Sequence, residues 1–127
     1  MSTRTIRGVG ASPGQVSGRL VLSIADARRL GALEPVVLVL RDCRAEDARV
    51  LTDASALVTV RGGVTGHGAI IARALGKPCI VACRFLEPHP VEGTLIVRPE
   101  GAAAFTVQAG VPVHVDGAKG LVSFDEP

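Results

Sequence analysis

The sequence contains neither tryptophan nor tyrosine, and its only aromatic residues are three phenylalanines. Proteins that bind single-stranded nucleic acid stack its bases on several aromatic side chains, so such a surface is not expected here. An excess of one charge is also lacking, because 14 basic residues balance 12 acidic ones and the longest basic run is Arg28-Arg29. The composition therefore argues against a nucleic-acid partner.

Long apolar runs are missing as well. No segment approaches the roughly 18 to 20 apolar residues of a membrane span, and no apolar stretch typical of a signal peptide follows the N-terminal residues. The three cysteines, Cys43, Cys79 and Cys83, are an odd number, which is typical of reduced thiols. Their spacing matches no metal site. We expect a cytoplasmic chain with no membrane contact and no metal of its own.

The apolar residues that are present account for 47% of the 127 positions, enough for a single core, so residues 1–127 are predicted to form one domain. Short apolar runs are separated by 15 glycines and eight prolines, a pattern typical of α/β or β-rich domains. Strand candidates at Val36–Leu40, 56–60 and 79–83 alternate with helix candidates at 42–51, capped by Asp42, and 66–75, ended by Gly76.

This alternation predicts a parallel β-α-β-α-β unit in the middle of the chain. The flanking segments favour strands at 19–24, Thr94–Val97, Phe105–Gln108, 113–115 and 121–124, with a short helix at 26–29. The predicted fold class is α/β, with a parallel centre and β-rich ends.

The loop between the second strand and its following helix carries the candidate chemistry. Gly62 and Gly63 let the backbone approach an anion closely, and Thr65 is placed to cap the helix. His67 would then lie in the first turn, where free N–H groups favour negative charge. A neutral imidazole nitrogen there is a competent nucleophile. An ordinary glycine turn followed by a capping or core-facing histidine remains the alternative.

The full string is more specific than its spacing. Residues 62–78 have the sequence GGVTGHGAIIARALGKP. It resembles the signature G-G-x-T-S/C-H-A-A-x-x-A-R-x-x-G-x-P of the mobile, swivelling phosphohistidine domain of phosphoenolpyruvate-utilising enzymes, which include pyruvate phosphate dikinase and phosphoenolpyruvate synthase. Residues 10–18, 36–47 and 115–122 are also similar to this family, so the resemblance covers nearly the whole chain. It departs at Gly66, where Ser or Cys is usual, and at Gly68, where Ala is usual.

The resemblance implies a swivelling β/β/α-type domain in which His67 is the phosphorylated residue. It implies that Thr65 and Gly66 assist catalysis at His67, and that Gly62, Gly63, Gly68 and Arg73 contact the phosphate. The missing methyl of Gly68 is interpreted as opening space beside the imidazole.

The same resemblance implies a phosphoryl carrier of a dikinase-type phosphotransferase, inactive alone. Its partners would be an ATP-grasp nucleotide-binding domain and a domain that binds phosphoenolpyruvate, pyruvate or another acceptor. ATP and Mg²⁺ are expected at those partner sites, with no cofactor bound by this chain.

Two other functions stay open. Gly66 and Gly68 would suit a non-catalytic regulatory or binding module that keeps the fold, and a self-contained metal-dependent hydrolase is the weakest alternative. Arg73 has the alternative of anchoring to a neighbouring carboxylate or a partner. His89 and His114 are expected at the surface. The arginines near the second helix are expected to be solvated, with docking to an anionic partner as their alternative; they are Arg41, Arg44 and Arg49.

Overall fold

In the computed structural model residues 3–125 are described, apart from the side chains at positions 48 and 50. The described chain forms two sheets, two α-helices and one 3₁₀ helix. The larger sheet has the order β1-β11-β10-β3-β4-β5-β6-β2. Its strands are β1 Thr3–Arg7, β2 Val9–Ser12, β3 Gln15–Val21, β4 Val36–Leu40, β5 Ala56–Thr59, β6 Cys79–Val81, β10 Pro112–Asp116 and β11 Leu121–Asp125. The smaller sheet contains β7 Leu86–His89, β8 Thr94–Val97 and β9 Phe105–Gln108.

The predicted parallel centre is confirmed, because β3, β4, β5 and β6 are neighbours and parallel. Helix α2, His67–Leu75, connects β5 to β6 as predicted and ends at Gly76, whose φ of 68° is left-handed. The strand predicted to reach residue 83 stops at Val81, because Ala82 adopts a φ of 53° and breaks the extended backbone. The fold class is therefore α/β with antiparallel strands on both sides of the parallel unit.

The connection between β4 and β5 differs from its prediction. A 3₁₀ helix, Ala45–Thr52, replaces the predicted α-helix, and Asp42 does not cap it. Asp42 accepts a hydrogen bond from the adjacent Cys43 N–H at 2.9 Å, whereas Asp47 Oδ2 accepts from Arg44 N–H at 3.1 Å. The cap is thus formed from inside the first turn, and Asp42 lies two residues before the N-cap position, Arg44.

The N-terminal half begins with strands that the apolar pattern did not predict. β1 buries only Ile6 and is an edge strand, and β2 contains a glycine and a register shift. β3 starts earlier than its predicted position and ends at Val21, since Ser23 caps α1, Ile24–Gly31, by accepting from Asp26 N–H at 3.2 Å. The short helix predicted at 26–29 is part of α1.

Strand β4 explains how the core is divided. Its five residues alternate between two apolar clusters, one on each face of the larger sheet, so the continuous apolar run is buried on both sides. Val37 and Val39 pack in the cluster that also contains Leu95 and Val97 of β8. On the other face, Leu38 belongs to the cluster formed with the helices and the 3₁₀ segment. The parallel strands are therefore fixed between two layers, and their carboxyl ends position the loops that follow.

Candidate functional site

The loop from β5 to α2 is shaped by its glycines. Gly62 has a φ of 101°, a left-handed conformation that favours glycine. A turn follows in which the Gly66 N–H donates to the Gly63 carbonyl at 3.0 Å. Gly66, and not Thr65, is the N-cap of α2, with extended backbone and no side-chain hydrogen bond. The prediction that Thr65 caps the helix is therefore wrong; its side chain is exposed one residue earlier.

His67 is the first residue of α2, and its side chain is exposed. The first intrahelical bond is donated by Ile70 N–H to Gly66 O at 3.0 Å, so the preceding amides of this turn have no partner within the helix. No acidic residue lies in the first turn. The positive end of α2 is thus not neutralised by a side chain of its own, and an anion attached to His67 would meet oriented N–H donors.

Two large apolar side chains of α2 are exposed, as His67 is. Ile70 is 48% exposed and Leu75 is 45% exposed. The buried side of α2 consists instead of its small residues, Gly68, Ala69 and Ala72. Small residues therefore bring the backbone of α2 close to the sheet.

A pocket of about 30 Å³ lies beside the imidazole. Its wall brings together five of the predicted site residues, which are Gly62, Gly63, Gly66, His67 and Gly68. A volume of this size holds one or two water-sized atoms, so it would admit oxygens of a phosphoryl group but no nucleotide or sugar. Thr65 and Arg73 are not part of this wall.

Arg73 has a structural contact elsewhere. Its Nη1 donates to the Ala11 carbonyl at 2.9 Å and so ties α2 to β2. It follows His67 by six positions, about 9 Å along the helix axis. The structure does not bring Arg73 to the pocket, and the group to which it is anchored is a backbone carbonyl and not the carboxylate of the sequence-based alternative.

Six other residues of the pocket wall were not predicted as site residues, namely Asp42, Cys43, Thr59, Arg61, Ala69 and Val81. The first four come from the ends of β4 and β5, and only their position at the ends of parallel strands could have indicated them. Thr59 is 3% exposed, and its Oγ1 is buried without a hydrogen-bond partner among the described residues. Burial, helped by Asp47 and Asp42, raises the pKa of Cys43 to about 11, so its thiol stays protonated near neutral pH.

Gly68 is explained by what lies beneath it. A Cβ atom at this position would lie 2.8 Å from Leu57 Cδ2 and 3.2 Å from Cys43 Sγ. The missing methyl makes room for these two side chains, and not for the imidazole as interpreted from the sequence. The described residues contain no cluster of three or more His, Cys, Asp or Glu side chains that could hold a metal ion. No described helix combines the length and apolar character needed to cross a membrane.

The fold and the site together define an α/β domain that presents a histidine at a helix N-terminus. Residues 32–120 match the family described as the PEP-utilising enzyme, mobile domain. The chain belongs to this family.

Similar proteins include two curated dikinases. Pyruvate, phosphate dikinase of Rickettsia typhi is 34% identical over 124 residues, covering 98% of this chain and 14% of that protein. The Rhizobium meliloti enzyme of the same name is 32% identical over 116 residues, covering 91% of this chain and 12% of that protein. The chain thus spans about one seventh of the length of these relatives.

A UPF0107 protein solved by NMR shares the fold, with a TM-score of 0.57 and 12% identity over 97% of this chain and 100% of that one.

Proposed function

We propose that this chain carries a phosphoryl group on His67 between a donor site and an acceptor site on other domains or subunits. The observation that supports this most directly is the exposed imidazole at the N-terminus of α2, whose first turn contains no acidic residue, beside a pocket of about 30 Å³. The exposed ring can enter a partner's site, and the pocket is large enough for oxygens of the transferred group but not for a nucleotide.

The chemistry needs two displacement steps at phosphorus. A neutral ring nitrogen of His67 attacks, an N–P bond forms, and the P–O bond to the donor breaks, with its electron pair leaving on the donor oxygen. In the second step an acceptor oxygen attacks the same phosphorus, and the N–P electron pair returns to the imidazole. Between the steps, we expect the amides of Gly68 and Ala69, which have no partner within the helix, to stabilise the phosphoryl oxygens.

Family membership supports a proposal for the partner sites. An ATP-grasp domain would supply the nucleotide site, and a second domain would bind phosphoenolpyruvate, pyruvate or another acceptor. Mg²⁺ would neutralise phosphate charge at those sites.

The experiment is phosphoryl transfer with the partner domains present. The chain is incubated with ATP-grasp and acceptor domains and with ATP labelled at either the β- or the γ-phosphate, and the label on this chain is counted. Label that is lost in acid and kept in base identifies phosphohistidine. His67→Asn should abolish it, while His89→Asn and His114→Asn should keep it. Retention of label by His67→Asn would contradict the proposal.

The regulatory alternative depends on Gly66 and Gly68. It predicts that the unaltered chain accepts no label while the double variant Gly66→Ser, Gly68→Ala does. Equal labelling of the two proteins, after correction for the folded fraction, would leave the alternative without support. Absence of stoichiometric zinc from purified protein would remove the hydrolase alternative.

A further inference from the structure

A second cavity, of about 430 Å³, opens next to the His67 pocket. It lies where the central parallel strands end and the smaller sheet begins. Arg41, Arg61 and Arg84 each follow one of the strands β4, β5 and β6, and Arg98 follows β8. We call the cavity bounded by these four residues the arginine cleft. Carboxyl ends of parallel strands are where ligands commonly bind in open α/β sheets.

The positive charge in the arginine cleft is only partly neutralised. Glu87 is the single carboxylate in its wall, and it pairs with Arg98 at 3.2 Å and with His89 at 2.6 Å. These hydrogen bonds lower the pKa of Glu87, which keeps the carboxylate ionised. The wall of the arginine cleft therefore contains four guanidinium groups and only one carboxylate.

Two of the guanidinium groups are free. Within residues 3–125, the side chains of Arg61 and Arg84 form no hydrogen bond or ion pair, and that of Arg41 makes one long contact, 3.4 Å, from Nη2 to the Pro88 carbonyl. Like charges that converge in a concave site repel one another unless an anion separates them. An arrangement of this kind indicates a ligand that carries more than one negative charge.

The size of the cavity and the chemistry of its wall limit which ligands can bind there. The cavity is within the range of about 300–1,000 Å³ that small-molecule sites occupy, and guanidinium groups bind phosphate oxygens through paired N–H donors. Arg61 lines both the arginine cleft and the His67 pocket, so a ligand in the cleft would extend toward the imidazole. A single phosphate would leave excess positive charge, whereas two or three linked phosphates would neutralise it.

We propose that the arginine cleft binds the linked phosphates of a di- or triphosphate, either as an inorganic anion or as the tail of a nucleotide. This goes beyond the carrier function, because binding requires no transfer to His67. Since the four arginines are exposed, affinity should be moderate and should fall as salt rises.

Calorimetric titration of the full chain tests the proposal. Tripolyphosphate and pyrophosphate at low salt should bind with one-to-one stoichiometry, and orthophosphate should bind at least about tenfold more weakly. A nucleotide ligand would be shown by ATP binding more tightly than tripolyphosphate, and an inorganic one by equal or weaker ATP binding. The double variant Arg61→Gln, Arg84→Gln should weaken tripolyphosphate binding about tenfold or more.

Matched controls separate this site from general charge and from the carrier site. Arg28→Gln, Arg29→Gln removes the same charge from α1 and should leave the affinity within about twofold. His67→Asn should keep saturable tripolyphosphate binding, so failure of the carrier function would not affect the result. Amide shifts in NMR should centre on residues 84–89.

Three outcomes would overturn the proposal. One is the absence of saturable tripolyphosphate binding at low salt, and another is equal weakening by the cleft and the α1 double variants. The third is binding of a polyglutamate peptide with no binding of tripolyphosphate, which would make the arginine cleft a docking surface for an acidic protein. Circular dichroism of both double variants establishes that they are folded.

Discussion

The side chain of Cys43 occupies the space that a methyl group on Gly68 would need. A Cβ atom at position 68 would lie 3.1 Å from Cys43 Cβ and 3.2 Å from its sulfur. Both residues line the pocket beside His67. Position 68 is alanine in the family signature, so the glycine and the cysteine form one packing unit: the smaller residue in the helix accommodates the larger one under it.

This relationship predicts the outcome of Gly68→Ala. The added methyl improves helix propensity by up to about 1 kcal/mol, but overpacking against Leu57 and Cys43 costs about 1–3 kcal/mol. We expect a net loss of about 1 kcal/mol in the free energy of unfolding, measured by urea denaturation.

The double variant Gly68→Ala, Cys43→Ala should lose less stability than the two single variants together, because the sulfur no longer obstructs the methyl. Gly63→Ala is the control, since a Cβ there meets nothing within 4 Å. It should change stability by less than about 0.5 kcal/mol. Strict additivity of the two substitutions would contradict the packing unit.

Thr59 offers a prediction of opposite sign. Its buried hydroxyl has no partner among the described residues, so Thr59→Val should raise the free energy of unfolding by about 1 kcal/mol. Thr59→Ser keeps the hydroxyl and removes the methyl, and it should lower stability by about 1 kcal/mol. A loss of stability on thermal or urea unfolding of Thr59→Val would show that the hydroxyl has a partner after all.

Stability should fall in alkaline solution. Burial raises the pKa of Cys79 and of Cys83 to about 12, and that of Cys43 to about 11, from 9.0. The unfolded chain releases these protons from about pH 9 upward while the folded chain keeps them, so the free energy of unfolding decreases above that pH. Below it both states are protonated and the cysteines contribute no pH dependence.

The measurement is urea denaturation in the presence of a reductant at pH 8, 9.5 and 10.5. Cys83→Ala should show a shallower decrease than the unaltered protein, by up to about 1.4 kcal/mol per pH unit. Identical slopes for the two proteins would show that Cys83 does not contribute.

Arg73 is expected to act through its contact with β2. Arg73→Gln removes the hydrogen bond to the Ala11 carbonyl and should lower the free energy of unfolding by about 1–2 kcal/mol. Arg28→Gln, at an exposed position of α1, should change it by less than about 0.5 kcal/mol. Unchanged stability with a faster loss of label from His67 would instead favour the predicted phosphate contact.

Apolar runs and helix-ending residues in the sequence were sufficient to predict the parallel unit. Val36–Leu40 is buried on both faces, and Gly76 ends α2 as predicted. Strand β1 was not predicted because it is an edge strand that buries only one residue, Ile6. Strand β7 was not predicted because it contains Pro88, a residue that an edge strand tolerates.

The pocket residues that were predicted are glycines and a histidine that lie close together in the chain. The pocket residues that were missed come from other segments of the fold. Thr59 and Cys43 meet the loop only after the strands pair, so local sequence carried no signal for them. The capping error at Thr65 has a local cause, since the Gly63–Gly66 turn moves the helix start by one residue.

The pairing of β1 with β11 places Thr3 directly opposite Asp125. Antiparallel partners lie about 5 Å apart at their Cα atoms, so the polypeptide enters and leaves the domain at nearly the same point. Segments attached next to Thr3 and Asp125 would therefore form a single pivot. The whole domain could rotate about this pivot without any strand unpairing. A short glycine linker across this gap would give a circularly permuted chain with new ends at an exposed loop.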